Sequence, residues 1–574
     1  MTEISIHTEQ IDDIPLLFSF LQQMGIQETL DTYANSHGNR QGLSIGWLTT
    51  AWLSYIVSES DHRMIEVESW AETHTETLSA LIPQAVKVKD FTDDRLTDVL
   101  EWFSKDSVWE GVENHLGQRL VQVYDLDQEP IRLDSTTASV YHDTEGNTLF
   151  RYGHSKDHRP DLPQLKVMLA TLDPMGMPLA TLVLPGNEAD DGLYIPTVIR
   201  ARQILSQGSR LYVGDAKMSA LDNRAFIQAG GDYYLTPLAQ TGDVPELIKE
   251  LLKPVWDKEQ SLELIYPPPT DETKPKAIAL GYEITRGQAA MLANQQKMEW
   301  EERLLVIYSP SLARKRRRGL SQRLDNAERA ILALTPPAGR GKRQKKDLSA
   351  LESSVGSILK QYQVEGLMTV SYICEEKQRS VRKYGDHPAR TEKSIRYIAQ
   401  VERNQQAISE VRGAMGWRLY ATNAPVGKLP LSKAVNVFRG GPRIERNFAR
   451  LKGRALGISP LYVQREDHVC GMVRLLSLAL RVLTLVEHVA RKKLKSAGET
   501  LSGLYAGNPK RQTAQPTAER LLRAFRSIYL NVVQLPNQAI RHVTPLSALQ
   551  NRILVLLGID PAIYEGLMPF PDTS

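Results

Sequence analysis

The sequence is poor in cysteine, since its 574 residues include only Cys374 and Cys470. Two thiols cannot form a disulfide framework, and such sparse usage is typical of a reducing compartment. Neither cysteine has a CxxC partner or a Cys/His companion at zinc-ligand spacing, so no zinc site is indicated. These absences argue against a small secreted or zinc-stabilised protein and favour a cytoplasmic one.

Targeting and membrane-spanning signals are also scarce. Met1 is followed by polar and acidic residues rather than by a basic segment leading into an apolar run, so no secretory signal is expected. One uncharged stretch, QGLSIGWLTTAWLSYIVS at residues 41–58, is long enough to consider as a membrane span. Glutamine, serine and threonine interrupt it repeatedly, so we predict a buried helix and no membrane partner.

The net charge is small, only +3, and it does not by itself indicate a nucleic-acid partner. A hydrophobic fraction of 42% and a charged fraction of 24% are ordinary for a globular protein. The length predicts three or more domains. No G-x-x-x-x-G-K-[ST] motif is present, because AGRGK lacks both the spacing and the final Ser/Thr, so a nucleotide cofactor is not indicated.

The distribution of charge is more informative than the total. Residues 312–346 hold twelve Lys and Arg against two acids. This basic block includes five consecutive cations, Arg314, Lys315, Arg316, Arg317 and Arg318. Such a block is either a solvated face or a surface that contacts phosphates, in which case its binding would be strongly salt-dependent.

Hydrophobic spacing predicts a helical region up to residue 120 and an α/β region after it. Residues 164–173 and 178–187 read as two strands joined by the turn sequence DPMGMP, and a helical pattern covers residues 191–208. Residues 240–410 interrupt this order with a Pro-rich segment, a strand at 303–309, the basic block and a second charged helical run. The predicted strands and helices are, in order, strands at 120–127, 131–142, 164–173, 178–187 and 210–216, a helix at 219–230, a strand at 416–423, and helices at 442–454, 471–494 and 518–533.

Three carboxylates lie where strands end or helices begin. Asp134 lies in IRLDSTT inside a predicted strand, Asp215 in LYVGDAKM at the end of another, and Glu445 in GPRIERNFARLKGR on a helix. Singly, each has a structural explanation: a turn cap, a helix N-cap or a solvated basic face. Together they suggest a site, because acids are unusual in strands and ligands collect at the carboxyl ends of α/β strands. Clustered carboxylates require a cation, and oxygen ligands favour Mg²⁺ or Mn²⁺.

Four segments in order resemble the DDE transposases of bacterial insertion sequences. They are IRLDSTT, YGHSKDHRPDLPQLKVMLATLDPMGMPLATLVLPGN, LYVGDAKMSALDNRAFIQAGGDYYLTPL and IERNFARLKGR. The resemblance is to the group with a Tyr-Arg-Glu-Lys signature and a ribonuclease-H-like core split by an insertion, and it covers about residues 120–490. It implies that Asp134, Asp215 and Glu445 are the catalytic residues and bind two Mg²⁺ or Mn²⁺ ions.

The same resemblance makes Lys452 the signature lysine, seven residues after Glu445. Seven helical residues return to within about 20° of the starting direction, so both side chains can face one cleft. The chain departs from the signature at Phe438, where Tyr is usual, and at Gly441, where Arg is usual. Arg439 and Arg443 are the nearest substitutes for binding the terminal nucleotide, and Arg439 is favoured if the chain before Pro442 is a loop.

A Ser-Lys-Asp sequence that the family usually carries is matched by Ser155, Lys156 and Asp157. These residues either support the site and contact DNA, or belong to a plain polar loop. His468, ahead of the long apolar helix, is assigned a structural hydrogen bond rather than a catalytic role.

The resemblance implies a multidomain organisation. We predict a helical N-terminal domain (1–120) that binds DNA ends, two halves of an α/β mixed-sheet catalytic core (121–240 and 411–500), an α+β insertion (241–410) and a helical tail (501–574). The expected activity is metal-dependent cleavage at the ends of an insertion sequence and strand transfer. The alternatives are a transposase-derived DNA-binding protein without catalysis and a metal-dependent nuclease of the same fold. The expected partners are terminal inverted repeats and target DNA, bound by a homodimer or higher oligomer in the cytoplasm at the nucleoid.

Overall fold

The computed structural model describes residues 5–34, 42–205, 208–268, 275–337, 347–382, 385, 388, 390–535 and 538–568. The last part of the predicted basic block, residues 338–346, lies outside the described residues. The described chain is a multidomain α/β structure built on a nine-stranded mixed sheet flanked by helices.

Helices dominate the first 123 residues, as their apolar spacing predicts. The predicted buried helix within residues 41–58 is present as α3, and the Ser44 hydroxyl caps it by accepting a hydrogen bond from the Trp47 N–H. The elements are β1 (Ser5–Gln10), α1 (Ile14–Met24), α2 (Ile26–Tyr33), α3 (Ile45–Glu59), α4 (Ile65–Glu72), α5 (Thr75–Leu81), α6 (Asp93–Ser104) and α7 (Asp106–Val123).

The predicted strand at residues 120–127 is wrong, because α7 continues to Val123. Trp109, Val112, Leu116 and Leu120 are all buried and recur every three or four residues, which is a helical period. The apolar residues at the end of α7 resemble a strand only when they are considered without the helical residues that precede them.

The first half of the central sheet forms as predicted. Strands β2, β3 and β4 pair antiparallel, with the DPMGMP turn between β3 and β4, and β5 and β6 then add in parallel. The elements are β2 (Ile131–Ser139), β3 (Gln164–Leu172), β4 (Met177–Pro185), α8 (Tyr194–Leu205), β5 (Leu211–Val213), α9 (Leu221–Ala229) and β6 (Tyr233–Pro237).

The region predicted as an insertion contributes strands to the same sheet, whose order is β4-β3-β2-β5-β6-β12-β9-β8-β7. The division of the chain into five domains stays a prediction. The elements are α10 (Val244–Trp256), β7 (Glu263–Ile265), β8 (Ala279–Met291), β9 (Lys297–Tyr308), α11 (Pro310–Leu334), α12 (Leu348–Gln361), β10 (Met368–Val381), β11 (Arg390–Arg403), α13 (Gln405–Ala414) and β12 (Trp417–Thr422).

The second charged run is helical only at its two ends. Helices α12 and α13 flank an antiparallel hairpin of β10 and β11, so a continuous helical run is wrong. Many hairpin side chains are charged and exposed, so the sequence has no alternation of buried and exposed residues to indicate strands. The hairpin and α12 lie within residues 241–410, and the assignment of that region to an α+β insertion stays a prediction.

Beyond the sheet, two helices flank the turn at residues 439–441 and one long helix crosses the core. They are α14 (Leu431–Phe438), α15 (Pro442–Lys452) and α16 (Glu466–Ala497). Helix α16 is long and apolar enough to span a membrane, but its most apolar 18-residue window is 94% buried inside the protein. Its Arg481 forms a buried ion pair with Glu113 of α7 at 2.6 Å. The helix is therefore the centre of the core, joining the N-terminal helices to the sheet.

The C-terminal tail differs from its predicted helix at residues 518–533. Helix α17 ends at Arg523, and the following residues form a strand that pairs with β1 at the opposite end of the chain. The tail elements are α17 (Ala518–Arg523), β13 (Tyr529–Gln534), β14 (Ala539–Val543), α18 (Ala548–Leu557) and α19 (Ala562–Glu565). This pairing joins residues more than 500 positions apart, which no local pattern can indicate.

Candidate active site

A cavity of about 540 Å³ lies beside the centre of the sheet, and Asp134, Asp215 and Glu445 all line it. Asp134 lies within β2, Asp215 follows β5, and Glu445 lies in the first turn of α15. Strands β2 and β5 are parallel neighbours, so the sheet holds the two aspartates side by side. The structure thus brings together the three acids that the sequence analysis singled out.

Asp134 has a raised pKa. Burial raises its pKa to about 6, and the charges of Asp215 and Asp190 add to this effect. Lys156, 3.9 Å away, and a hydrogen bond from the Ser135 N–H act in the opposite direction. The carboxyl group therefore lies in a place where negative charge is under-compensated.

Asp215 is held by its neighbours. Its Oδ1 accepts a hydrogen bond from the Tyr194 hydroxyl at 2.6 Å and another from the Lys217 N–H at 2.8 Å. Helix α9 begins only at Leu221, so Asp215 is not its N-cap. Burial, together with the charge of Asp215, raises the pKa of Tyr194 well above its ordinary value, so the phenol stays a proton donor that orients the carboxylate.

Glu445 is exposed to the cavity, and no hydrogen-bond or ion-pair partner is found for it among the described residues. The three carboxylates share the cavity, but their oxygens do not form a cluster in which all lie within 4.8 Å. Asp134 and Asp215 fit a divalent cation because their adjacent charges and the raised pKa of Asp134 call for one. Glu445 has a free carboxylate that can complete the oxygen ligands.

Asp190, the first residue of a short 3-10 helix (Asp190–Leu193) before α8, is a fourth acid near the site, and the sequence analysis missed it. Burial alone would raise its pKa, but a 2.6 Å hydrogen bond from Lys166 and the charge of Lys156 hold it below its usual value. Its segment, NEADDG, looked like an ordinary polar loop. On the acidic side, Asp134 lines the cavity and Asp190 lies outside its lining, 3.8 Å from Lys156, and the two carboxylates have opposite pKa shifts.

The Ser-Lys-Asp segment connects the acidic side to the end of α15. Lys156 donates hydrogen bonds to the carbonyl and hydroxyl of Ser135 at 2.7 and 2.9 Å. The next residue, Asp157, accepts a hydrogen bond from Lys452 at 2.5 Å. Lys452 lies on the predicted helix, but it is not among the residues that line the cavity. Its predicted contact with phosphate, like that of Lys156, stays a prediction.

The turn between α14 and α15 carries the two positions that depart from the signature. Helix α15 begins at Pro442, and the loop predicted before it is only a turn at residues 439–441, in which Gly441 keeps helical backbone angles (φ −44°, ψ −40°). Phe438, Arg439 and Gly441 line the cavity, whereas Arg443 lies 3.5 Å from Asp173 in an ion pair. The geometry thus places Arg439, not Arg443, at the cavity wall.

The consecutive cations of the basic block lie on α11, which confirms a helix there. Arg314, Lys315, Arg317 and Arg318 are exposed, while Arg316 is half-buried. The two interpretations of the basic block, a solvated face or a surface that contacts phosphates, therefore concern these four exposed residues. Arg316 instead faces Arg418 and Tyr420 of β12, two cavity-lining residues that the sequence analysis missed because nothing in GWRLYATN marks them.

His468 lies outside the cavity, near Glu101 and Asp467, whose ligand atoms lie within 4.8 Å of one another and of its own. Arg465 pairs with both acids, at 2.9 Å and 2.5 Å. The acidic charge is thereby compensated by a neighbouring guanidinium. The group therefore reads as a salt-bridge cluster at the start of α16, consistent with a structural role for His468.

No protein-family profile matches the chain, and no curated protein matches it in sequence. Among solved structures, the chain is similar to the cryo-EM structure of a piggyBac transposase synaptic complex with hairpin DNA. The identity is 7%, the TM-score is 0.34, and the match covers 99% of this chain and 89% of that chain. A TM-score this low carries no argument about fold or activity, which must come from the residues themselves.

Proposed function

We propose that the protein is a DDE-type transposase that cleaves DNA at the ends of an insertion sequence and joins the ends to target DNA. The observation that carries this proposal is the convergence of Asp134, Asp215 and Glu445 on one cavity from three distant parts of the chain. The same three residues were selected from sequence motifs without any spatial information. Their agreement is the main support for a common role.

The proposal includes a ribonuclease-H-like core formed by β2 to β6 with α8 and α9. Three antiparallel strands followed by two parallel strands, in the order β4-β3-β2-β5-β6, support this assignment. In such a sheet, residues at adjacent parallel strands approach each other and leave a cleft for a ligand. This arrangement would put Asp134 and Asp215 beside the reacting phosphate.

In the proposed reaction, Asp134, Asp215 and Glu445 would hold two Mg²⁺ or Mn²⁺ ions. When bound, such ions activate the attacking oxygen and stabilise the leaving oxygen. Water attack breaks the P–O3′ bond of a phosphodiester and leaves a 3′-hydroxyl and a 5′-phosphate. Attack by that 3′-hydroxyl on a target phosphodiester forms a new P–O bond, releases the target's own 3′-hydroxyl and joins the strands. Tyr194 keeps Asp215 oriented, and Lys156 favours the ionised form of Asp134.

The test is nicking of a supercoiled plasmid that contains the coding region with its flanking genomic DNA, with Mg²⁺ or with EDTA. We expect Mg²⁺-dependent nicks at the ends of flanking inverted repeats, followed by joined products on a second plasmid. Binding to the repeats without nicks would favour the DNA-binding alternative. Nicks without joined products would favour the nuclease alternative.

We also propose that two or more copies assemble on the DNA, because two element ends must be joined in one event. Cross-linking with and without a repeat duplex would reveal this assembly. A monomer that nicks both ends would contradict it.

A further inference from the structure

The cavity has a second end with opposite charge. Arg418 of β12 and Arg439 of the turn before α15 line it, together with Ser309 and Ser311. No ion pair with a carboxylate is found for either arginine in the described parts of the chain. Among the residues that the structure describes, the hydrogen-bond acceptors of Arg439 are neutral: the Ile278 carbonyl at 2.7 Å and the Ser309 hydroxyl at 3.3 Å.

A third guanidinium belongs to this arginine end, which we define as Arg316, Arg418 and Arg439 with Tyr420. Arg316 and Arg418 line two cavities that share Leu312, and burial together with the charge of Arg418 lowers the pKa of Arg316. Arginine nevertheless stays protonated in proteins. Like charges held together without a carboxylate are costly unless an anion binds between them.

Tyr420 adds a hydrogen-bond donor. Its ring packs edge-on against Phe438 with ring centroids 4.8 Å apart, Arg418 hydrogen-bonds to its hydroxyl, and the charges of Arg439 and Arg316 also act on it. Burial raises its pKa despite these cations, so the hydroxyl keeps its proton at neutral pH. A protonated phenol beside guanidiniums can donate to an anionic oxygen.

A second cavity, of about 660 Å³, continues from the arginine end along α11. It shares Leu312 with the first cavity and is lined by three cations, Lys315, Arg316 and Arg323. No carboxylate is among its described lining residues. The cationic surface therefore extends well beyond the space that a single small anion would fill.

We propose that the arginine end holds a phosphodiester of a DNA strand that runs from the acidic end of the cavity into the groove along α11. The proposal rests on the proposed function, since it takes the strand at the acids to be the one that reacts. Guanidinium groups suit it because their planar donors bind phosphate oxygens in pairs. A chain of phosphates, rather than one free phosphate ion, matches a charged surface that spans two cavities.

The test measures binding of a fluorescent ten-nucleotide single strand by anisotropy in EDTA, which separates this site from metal-dependent catalysis. We expect Arg418→Ala to weaken binding roughly 10-fold to 100-fold, because a charge-assisted hydrogen-bonded contact is lost. Arg418→Lys should recover only part of the affinity, since a lysine ammonium cannot make the two parallel hydrogen bonds that a guanidinium makes to phosphate oxygens. The slope of log affinity against log salt should fall by about 0.7 for Arg418→Ala.

The matched control is Arg552→Ala, which removes an arginine that pairs with Glu499 far from the cavity. Equal losses in Arg418→Ala and Arg552→Ala would overturn the proposal, because a general charge effect would explain them. Inorganic phosphate is the second probe. If Arg418→Ala abolished phosphate binding but left strand binding intact, the site would be one for free phosphate and the proposal would also fail.

This result is separable from the proposed function. Normal strand binding by Arg418→Ala with normal Mg²⁺-dependent nicking would overturn the arginine end alone. Loss of strand binding by Arg418→Ala in a protein that never nicks DNA would retain the arginine end and remove the proposed reaction.

Discussion

The two ends of the central cavity carry opposite charges, and these charges are compensated to different degrees. At the acidic end, Lys156 and Lys166 offset part of the charge of Asp134 and Asp190. At the arginine end, no described carboxylate offsets Arg316, Arg418 or Arg439. Acids whose charge is partly offset by lysines can bind a metal cation reversibly. Arginines whose charge no described carboxylate offsets can bind a polyanion. This difference is what supports the proposal of a single DNA strand that spans both ends.

The largest expected effect is a loss of nicking without a loss of DNA binding when the acidic end is changed. Asp134→Asn, Asp215→Asn or Glu445→Gln should each reduce nicking by about 10³-fold or more, because a neutral amide keeps the shape but loses the charge that holds a metal ion. DNA affinity in EDTA should stay nearly unchanged, since the arginine end is intact. Plasmid nicking and anisotropy are the measurements. Wild-type nicking by any one variant would remove that residue from the catalytic set.

The next effect tests the connection between the Ser-Lys-Asp segment and α15. Lys452→Ala should reduce nicking by about 10²-fold, because positioning errors near the reacting phosphate are costly. Mg²⁺ affinity should barely change, since a lysine is not a ligand.

Asp157→Asn is the informative partner, because it frees the Lys452 amine from its ion pair. If Lys452 binds phosphate directly, Asp157→Asn should retain more activity than Lys452→Ala in single-turnover nicking. Equal losses would mean that the ion pair itself, rather than a phosphate contact, is what matters.

A third prediction concerns stability at the acidic end. The pKa of Asp134 is near 3.8 in the unfolded chain and about 6 in the folded protein. The cost of ionising it is therefore absent below pH 3.8 and complete above pH 6. Without metal, Asp134→Asn should stabilise the protein by about 1–3 kcal/mol at pH 7.5 and by nothing near pH 3.8. Because 28% of the side chain is exposed, the lower part of that range is expected.

Asp190→Asn provides a control of opposite sign. Its folded pKa is lowered, so its ionised form stabilises the protein above the unfolded pKa, and that stability is lost as the pH falls through the folded value. The variant should thus be less stable than the wild type at pH 7.5. Urea unfolding in EDTA measures both variants. A shift in the same direction for both would contradict the different electrostatic environments assigned to them.

The smallest effect concerns the exposed cations of α11. Changing Arg314, Arg317 and Arg318 together to Ala should flatten the slope of log affinity against log salt for duplex DNA by about 0.9 for each lost contact. Cleavage per bound complex should be unaffected, because none of these residues lines the acid-bearing cavity. An unchanged slope would return these cations to a solvated face and sharpen the contrast with Arg316.

Local patterns predicted much of the first half of the sheet. In β3 and β4, apolar runs on either side of a Pro-Gly turn indicate a hairpin, and the structure has one. The same reasoning failed at residues 120–127 and 518–533, where a short apolar run was compatible with either period. It also failed at the β10–β11 hairpin, whose exposed, charged strands lack an apolar face.

For the site, motifs identified Asp134, Asp215 and Glu445 because each lies in a distinctive local sequence. Asp190, Tyr194 and Arg418 carried no comparable signal. Each matters only through a neighbour that is distant in sequence: Asp190 through Lys166, Tyr194 through Asp215, and Arg418 through Arg316. A single chain read in order contains no information about such pairs.

The sequence alone therefore determined the first strands of the central sheet and which acids are available, because these depend on the spacing of nearby residues. The tertiary structure alone decided that β13 pairs with β1, that Lys452 bonds to Asp157, and that Arg316 lies beside Arg418. Charges interact through space. The neighbours of a charged side chain, its pKa and whether it has a partner are therefore set only when distant segments pack together.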